Sequence, residues 1–78
     1  MNIKKGNPLQ KGSTKQKDGY NFAIASAAEI IDLLLYAPKA DEPEYRIELT
    51  EDYKTGDVFS VHISGIYLDR YLYCYEAD

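Results

Sequence analysis

Seventy-eight residues with a formal net charge of −4 make one domain, which buries only about 60% of the unfolded chain's surface and draws about 3–5 kcal/mol of net stability from its core. Cys74 is the single cysteine, which excludes an internal disulfide framework and points to a reducing, cytoplasmic setting. Neither a signal peptide nor a membrane span is expected: polar residues follow the lysine-rich start, and the apolar-rich stretch from Ala23 to Ala37 is short and broken by Ser26, Glu29 and Asp32.

Charge divides the chain in two. Residues 1–18 hold Lys4, Lys5, Lys11, Lys15 and Lys17 against Asp18, a net of +4. Their aliphatic side chains are Ile3 and Leu9 alone, set among glycine, proline and polar residues. So little apolar area does not offset an ordering cost of about 1–2 kcal/mol per residue, and the segment reads as a flexible, disordered basic arm. Such an arm suits phosphate or an acidic partner surface. Residues 19–78 hold four basic and twelve acidic side chains and read as a single acidic domain. At long range that domain repels nucleic acid and attracts basic surfaces.

The alternation of Tyr20, Phe22 and Ile24 against Asn21, Ala23 and Ala25 predicts a first short strand. Ser26-Ala27-Ala28-Glu29 then has the spacing of a capping box, and a helix is expected from about Ala27 to Ala37, stopped by Pro38. Its buried stripe would be Ala27, Ile30, Ile31, Leu34 and Leu35, with Glu29, Asp32, Leu33 and Tyr36 facing away. A single helix starting near Asn21 is the alternative. The clearest strand is Glu44–Glu51, where Tyr45, Ile47 and Leu49 oppose charged residues. Asp52–Asp57 contains Thr55-Gly56 and reads as a hairpin loop. Val58–Ser64 is a further strand with Phe59, Val61 and Ile63 inward and Ser60, His62 and Ser64 outward. Ser64-Gly65 is a turn or bulge, and a last strand covers Tyr71–Tyr75, reached by a continuous or bulged strand from Ile66 or through a tight turn at Asp69-Arg70. The expected fold is α+β: one helix packed on a small, mostly antiparallel sheet in the order β-α-β-β-β, with a disordered N-terminal arm.

Catalytic patterns are missing from the sequence. It has no glycine-rich phosphate loop, G-x-S-x-G, C-x-x-C or H-E-x-x-H. His62 is the only histidine, and in a strand reading it falls on the opposite face from Cys74. Residues 52–57 lack the alternating oxygen ligands of a calcium loop. No enzymatic activity, cofactor or metal is expected.

Two surfaces suit a macromolecular partner. The first is a tyrosine row, Tyr67, Asp69, Tyr71, Tyr73 and Tyr75 at period two, with His62 alongside. Tyrosine gives large contact area at low rotamer entropy and is enriched at interface hot spots. The second is acidic: Glu29, Asp32 and Tyr36 on the outer face of the helix, with Glu44 and Glu48 on the following strand. Alternate strand residues lie about 6.6 Å apart, so such a row imitates phosphate spacing, although Arg46 interrupts it. In size, acidity and tyrosine content, and in lacking catalytic residues, the chain resembles in type the small inhibitors that phages encode against host enzymes, anti-CRISPR proteins and nucleic-acid mimics among them. That resemblance implies a non-enzymatic protein-binding module that inhibits a nucleic-acid-handling enzyme or complex by docking on its basic surface. Two alternatives stand beside it: a homo-oligomeric module, dimeric for example, that buries its tyrosine face on a second copy, and a nucleic-acid accessory protein using the lysine arm.

Overall fold

The run Ile30-Ile31-Asp32-Leu33-Leu34-Leu35-Tyr36 decides the architecture. In the computed structural model, which describes residues 1–77, it is a strand and not a helix. Only seven residues separate Glu29 from Ala37, too few for a stable helix but enough for a strand with apolar side chains on both faces. The Ser26 hydroxyl accepts from the Ala28 amide at 3.1 Å, one residue short of the expected cap, and so closes a local turn. The expected α+β order is therefore overturned: the described residues form two antiparallel sheets with a single 3₁₀ turn at Glu51–Tyr53.

Among the described residues, eight strands make up the sheets: β1 (Asn2–Lys5), β2 (Gly12–Gln16), β3 (Gly19–Ala25), β4 (Ile31–Tyr36), β5 (Tyr45–Leu49), β6 (Lys54–Thr55), β7 (Val58–Ser64) and β8 (Leu72–Ala77). The first sheet has the order β1-β7-β3-β2, with β6 pairing the start of β7. The second is β5-β4-β8. All pairs are antiparallel; Phe22 faces Val61 across β3 and β7, and Leu33 faces Ile47 and Tyr75 across the second sheet.

The core lies between the sheets. Tyr20, Phe22, Phe59, Val61 and Ile63 come from the first, Ile31, Leu33, Leu35, Ile47 and Leu49 from the second, and Leu68 from the connection between β7 and β8. Leu33, expected to face away, is fully buried, because strand geometry puts it in register with Ile31 and Leu35. Each such side chain is worth about 1.5–3 kcal/mol on burial. Together they form the sandwich's central layer.

The lysine-rich segment is likewise part of the fold and not a disordered arm. β1 pairs β7 from Asn2↔Ser64 to Lys5↔Val61, and β2 pairs β3 from Gly12↔Ala23 to Gln16↔Gly19. Since β7 and β3 are adjacent, residues 6–11 must cross the outer face of both to connect these edges. Asn21 anchors the crossing: its Oδ1 accepts from the Asn7 amide at 2.7 Å, and its Nδ2 donates to the carbonyls of Asn7 and Gln10 at 3.0 and 3.1 Å. Gly6 is required where the chain passes closest, since a Cβ there would lie 2.8 Å from the Val61 backbone. Ordering this segment is offset by backbone pairing to two strands, a contribution that apolar content does not reveal.

Candidate functional site

His62 and Cys74 are on opposite sides of the sandwich. His62 lies on the outer face of β7 and is buried, with Nε2 3.5 Å from Asp18 Oδ1 in the β2–β3 turn and no hydrogen-bond partner among the described residues. Cys74 is exposed on the outer face of β8. The two cannot form a nucleophile–base pair. Among the described residues, no group of three or more His, Cys, Asp and Glu side chains is placed to hold a metal ion. Nor is any helix there long and apolar enough to cross a membrane.

The tyrosines do not form one outward row. Tyr73 and Tyr75 stand opposite Leu35 and Leu33, on the inner face of the second sheet. Tyr73 meets Phe22 edge to face at 5.2 Å and Tyr75 at 5.9 Å. Burial pushes the Tyr75 phenol well above its ordinary pKa, and its hydroxyl has no partner among the described residues. Tyr71 packs near Tyr45 and donates to Glu44, which pushes its phenol up to about 12. Tyr67, in the β7–β8 connection, is 69% exposed.

Asp69 is a fastening point for that connection. It accepts from Lys15 Nζ at 2.7 Å and from the Tyr20 hydroxyl. The Lys15 bond, then the Tyr20 bond, holds its carboxyl below the usual carboxylate range. The Tyr20 oxygen also accepts from the Leu68 amide at 2.9 Å. These groups rim an open cleft of about 370 Å³ whose lining includes Phe22, Leu35, Leu68 and Tyr73.

The remaining lysines are scattered. Lys4 and Lys5 are on β1, Lys11 precedes β2, and Lys17 lies in the β2–β3 turn, so no single basic arm presents them together. The acidic residues are also dispersed. Glu29 sits in the β3–β4 connection and Glu44 is engaged by Tyr71. Asp32 and Glu48 are paired across β4 and β5, and Asp32 faces Glu76 on β8. Arg46 bridges two of these three, at 2.7 Å to Asp32 and 3.1 Å to Glu76.

What the fold does bring together is the outer face of the second sheet. Beside the carboxylates lie Leu34, flanked by Arg46 and Cys74, and Tyr36, opposite Leu72, which is 69% exposed. Leu72, Cys74, Arg46 and Glu76 belong to this surface, over the buried Leu34, and sequence reasoning missed them as a group. The alternation of Leu72, Cys74 and Glu76 against Tyr73 and Tyr75 was the available signal. No protein-family model matches the chain, and no curated protein is significantly similar to it.

Proposed function

We propose that the chain is a non-catalytic β-sandwich module that docks on a protein partner through the outer face of its second sheet. The supporting observation is an asymmetry of cover. The first sheet's outer face is crossed by residues 6–11, fastened through Asn21. No described segment crosses the second sheet, where Tyr36, Leu72 and Cys74 adjoin Asp32, Glu48 and Glu76 with one cation, Arg46, among them. An apolar patch rimmed by charge is the usual form of a protein-binding surface. Its excess of carboxylate suits a partner with a basic rim. These carboxylates lie on three strands, about 4.8 Å apart from one to the next, and Arg46 holds two of them. The reading therefore rests on docking and not on imitation of a phosphate backbone, although occupying a basic surface would serve an inhibitor.

Affinity capture from a native lysate, with quantitative mass spectrometry, tests this when wild type is compared with Leu72→Lys and Glu48→Lys and with Thr14→Lys on the first sheet. A partner retained by wild type and Thr14→Lys, but lost with both second-sheet variants, is the expected result. Binding should weaken as salt rises, because the charges involved are exposed. Identical capture by all four proteins would reject the proposal.

A further inference from the structure

The edges of the two sheets are not equally guarded. An edge strand exposes unpaired N–H and C=O groups, and proteins blunt it with charge, proline, distortion or brevity. β1 has four residues, two of them Lys4 and Lys5. β2 begins at Gly12 with φ 84° and points Lys15 toward the gap between the sheets. β5 carries Arg46 and Glu48 and is preceded by Pro43. β8 is the least protected of the four: Leu72-Tyr73-Cys74-Tyr75-Glu76-Ala77 is six residues long, with Glu76 its single charge and no proline, and pairs β4 residue for residue from Leu72↔Tyr36 to Ala77↔Ile31 without a bulge.

The sandwich is also uneven in width. β1, β7, β3 and β2 lie side by side in the first sheet, but only β5, β4 and β8 in the second. The Phe22–Tyr73 contact places β8 beneath β3, so the inner face of β2 lies over the cleft beyond β8. That cleft has an apolar floor of Phe22, Leu35 and Leu68. Lys15 and Asp69 at its rim already neutralise each other. On the outer side, Glu76 stands next to the open edge, 62% exposed, with Arg46 shared between it at 3.1 Å and Asp32 at 2.7 Å.

We infer that β8 is a strand-addition site: an extended segment of a protein partner pairs with its outer edge as a fourth strand of the second sheet, apolar at alternate positions and cationic beside Glu76. Main-chain hydrogen bonds supply affinity in this mode, and alternate side chains supply selectivity. The inward residues of the added strand cover the Phe22–Tyr73 floor opposite β2, and an outward lysine or arginine faces Glu76. This deepens the docking reading and rests on it.

The probe is a capped synthetic peptide of about six residues, the usual strand length, alternating valine and threonine with one threonine replaced by lysine. It is titrated into the full, ¹⁵N-labelled chain and followed by NMR. We expect saturable shifts centred on the amides of β8. N-methylating one alternate set of peptide amides should abolish binding, while methylating the other set leaves it within about twofold, since only alternate residues of an added strand face its neighbour. Glu76→Lys should weaken binding about threefold, with recovery when the peptide lysine becomes glutamate, as an exposed pair is worth about 0.2–1 kcal/mol. Absence of saturable shifts at millimolar peptide would overturn the inference, as would equal loss with both methylated peptides. So would a β8–β8 dimer of the chain alone, which assigns the edge to a second copy. If the peptide fails while Leu72→Lys and Glu48→Lys still abolish partner capture, strand addition falls and the docking reading stands. If capture is indifferent to those variants, the docking reading has failed separately.

Discussion

Replacing Asn21 by alanine measures how far the lysine-rich segment belongs to the fold. The side chain is 1% exposed and makes three hydrogen bonds to the crossing, one accepted and two donated. A hydrogen bond contributes about 0.5–1.5 kcal/mol net, so the loss lies between about 1.5 and 4.5 kcal/mol. Asn7 and Gln10 are exposed, and water can replace the lost partner of their backbone groups. That places the expected effect in the lower half of the range, about 2–3 kcal/mol. For a domain of this size each kcal/mol moves the melting midpoint by about 4–8 °C, so Asn21→Ala should melt roughly 10–20 °C below wild type. Urea unfolding followed by circular dichroism gives the free energy directly. Asn21→Asp should be worse than alanine, because it keeps the acceptor but turns a carboxylate toward two carbonyl oxygens in a buried site. A loss under about 0.5 kcal/mol for Asn21→Ala would refute this reasoning. The crossing would then not be held, and the first eighteen residues would behave as a free arm.

Three further results are expected. Deleting residues 1–17 removes β1 and β2 and bares both flanks of the β7–β3 pair, so the truncated chain should unfold or aggregate on purification; a truncation with unchanged melting midpoint contradicts the topology. Leu33→Ala should lower stability by about 2–5 kcal/mol in urea titrations, comparable to the whole stability of a small domain, whereas an outward helical position would give well under 1 kcal/mol. Asp69 has its carboxyl pKa depressed in the folded state, so its contribution is present above the ordinary carboxylate pKa of about 3.9 and disappears as pH falls through the lower folded value. Asp69→Asn should therefore unfold at lower urea than wild type at pH 7, with the gap closing below about pH 4; a gap that widens on acidification contradicts the sign.

Strands with one polar and one apolar face were legible from sequence. Tyr45–Leu49 and Val58–Ser64 alternate cleanly, and their inward sets lie in the core or pack against it. The run through Ile31–Tyr36 was ambiguous for a physical reason: as the middle strand of its sheet it carries apolar side chains on both faces. Period two is then erased, and Ser26 and Glu29 tipped the reading toward a helix. Strand register in β8 carried the opposite lesson. The alternation of tyrosines was real, but period alone does not say which face is inward, and Leu33 and Leu35 draw Tyr75 and Tyr73 to the core side. The unguarded edge of β8 could not be read at all without the topology, since it depends on which strands have neighbours.

Cross-strand nuclear Overhauser contacts around Leu34 test the architecture most directly. An account with β4 at the centre of the second sheet predicts that Leu34 contacts Arg46 on one side and Cys74 on the other, in the antiparallel registers Leu34↔Arg46 and Leu34↔Cys74. A ladder of contacts between residues three apart through 27–37, with none to β5 or β8, would contradict the sandwich, the open edge of β8 and the docking surface together.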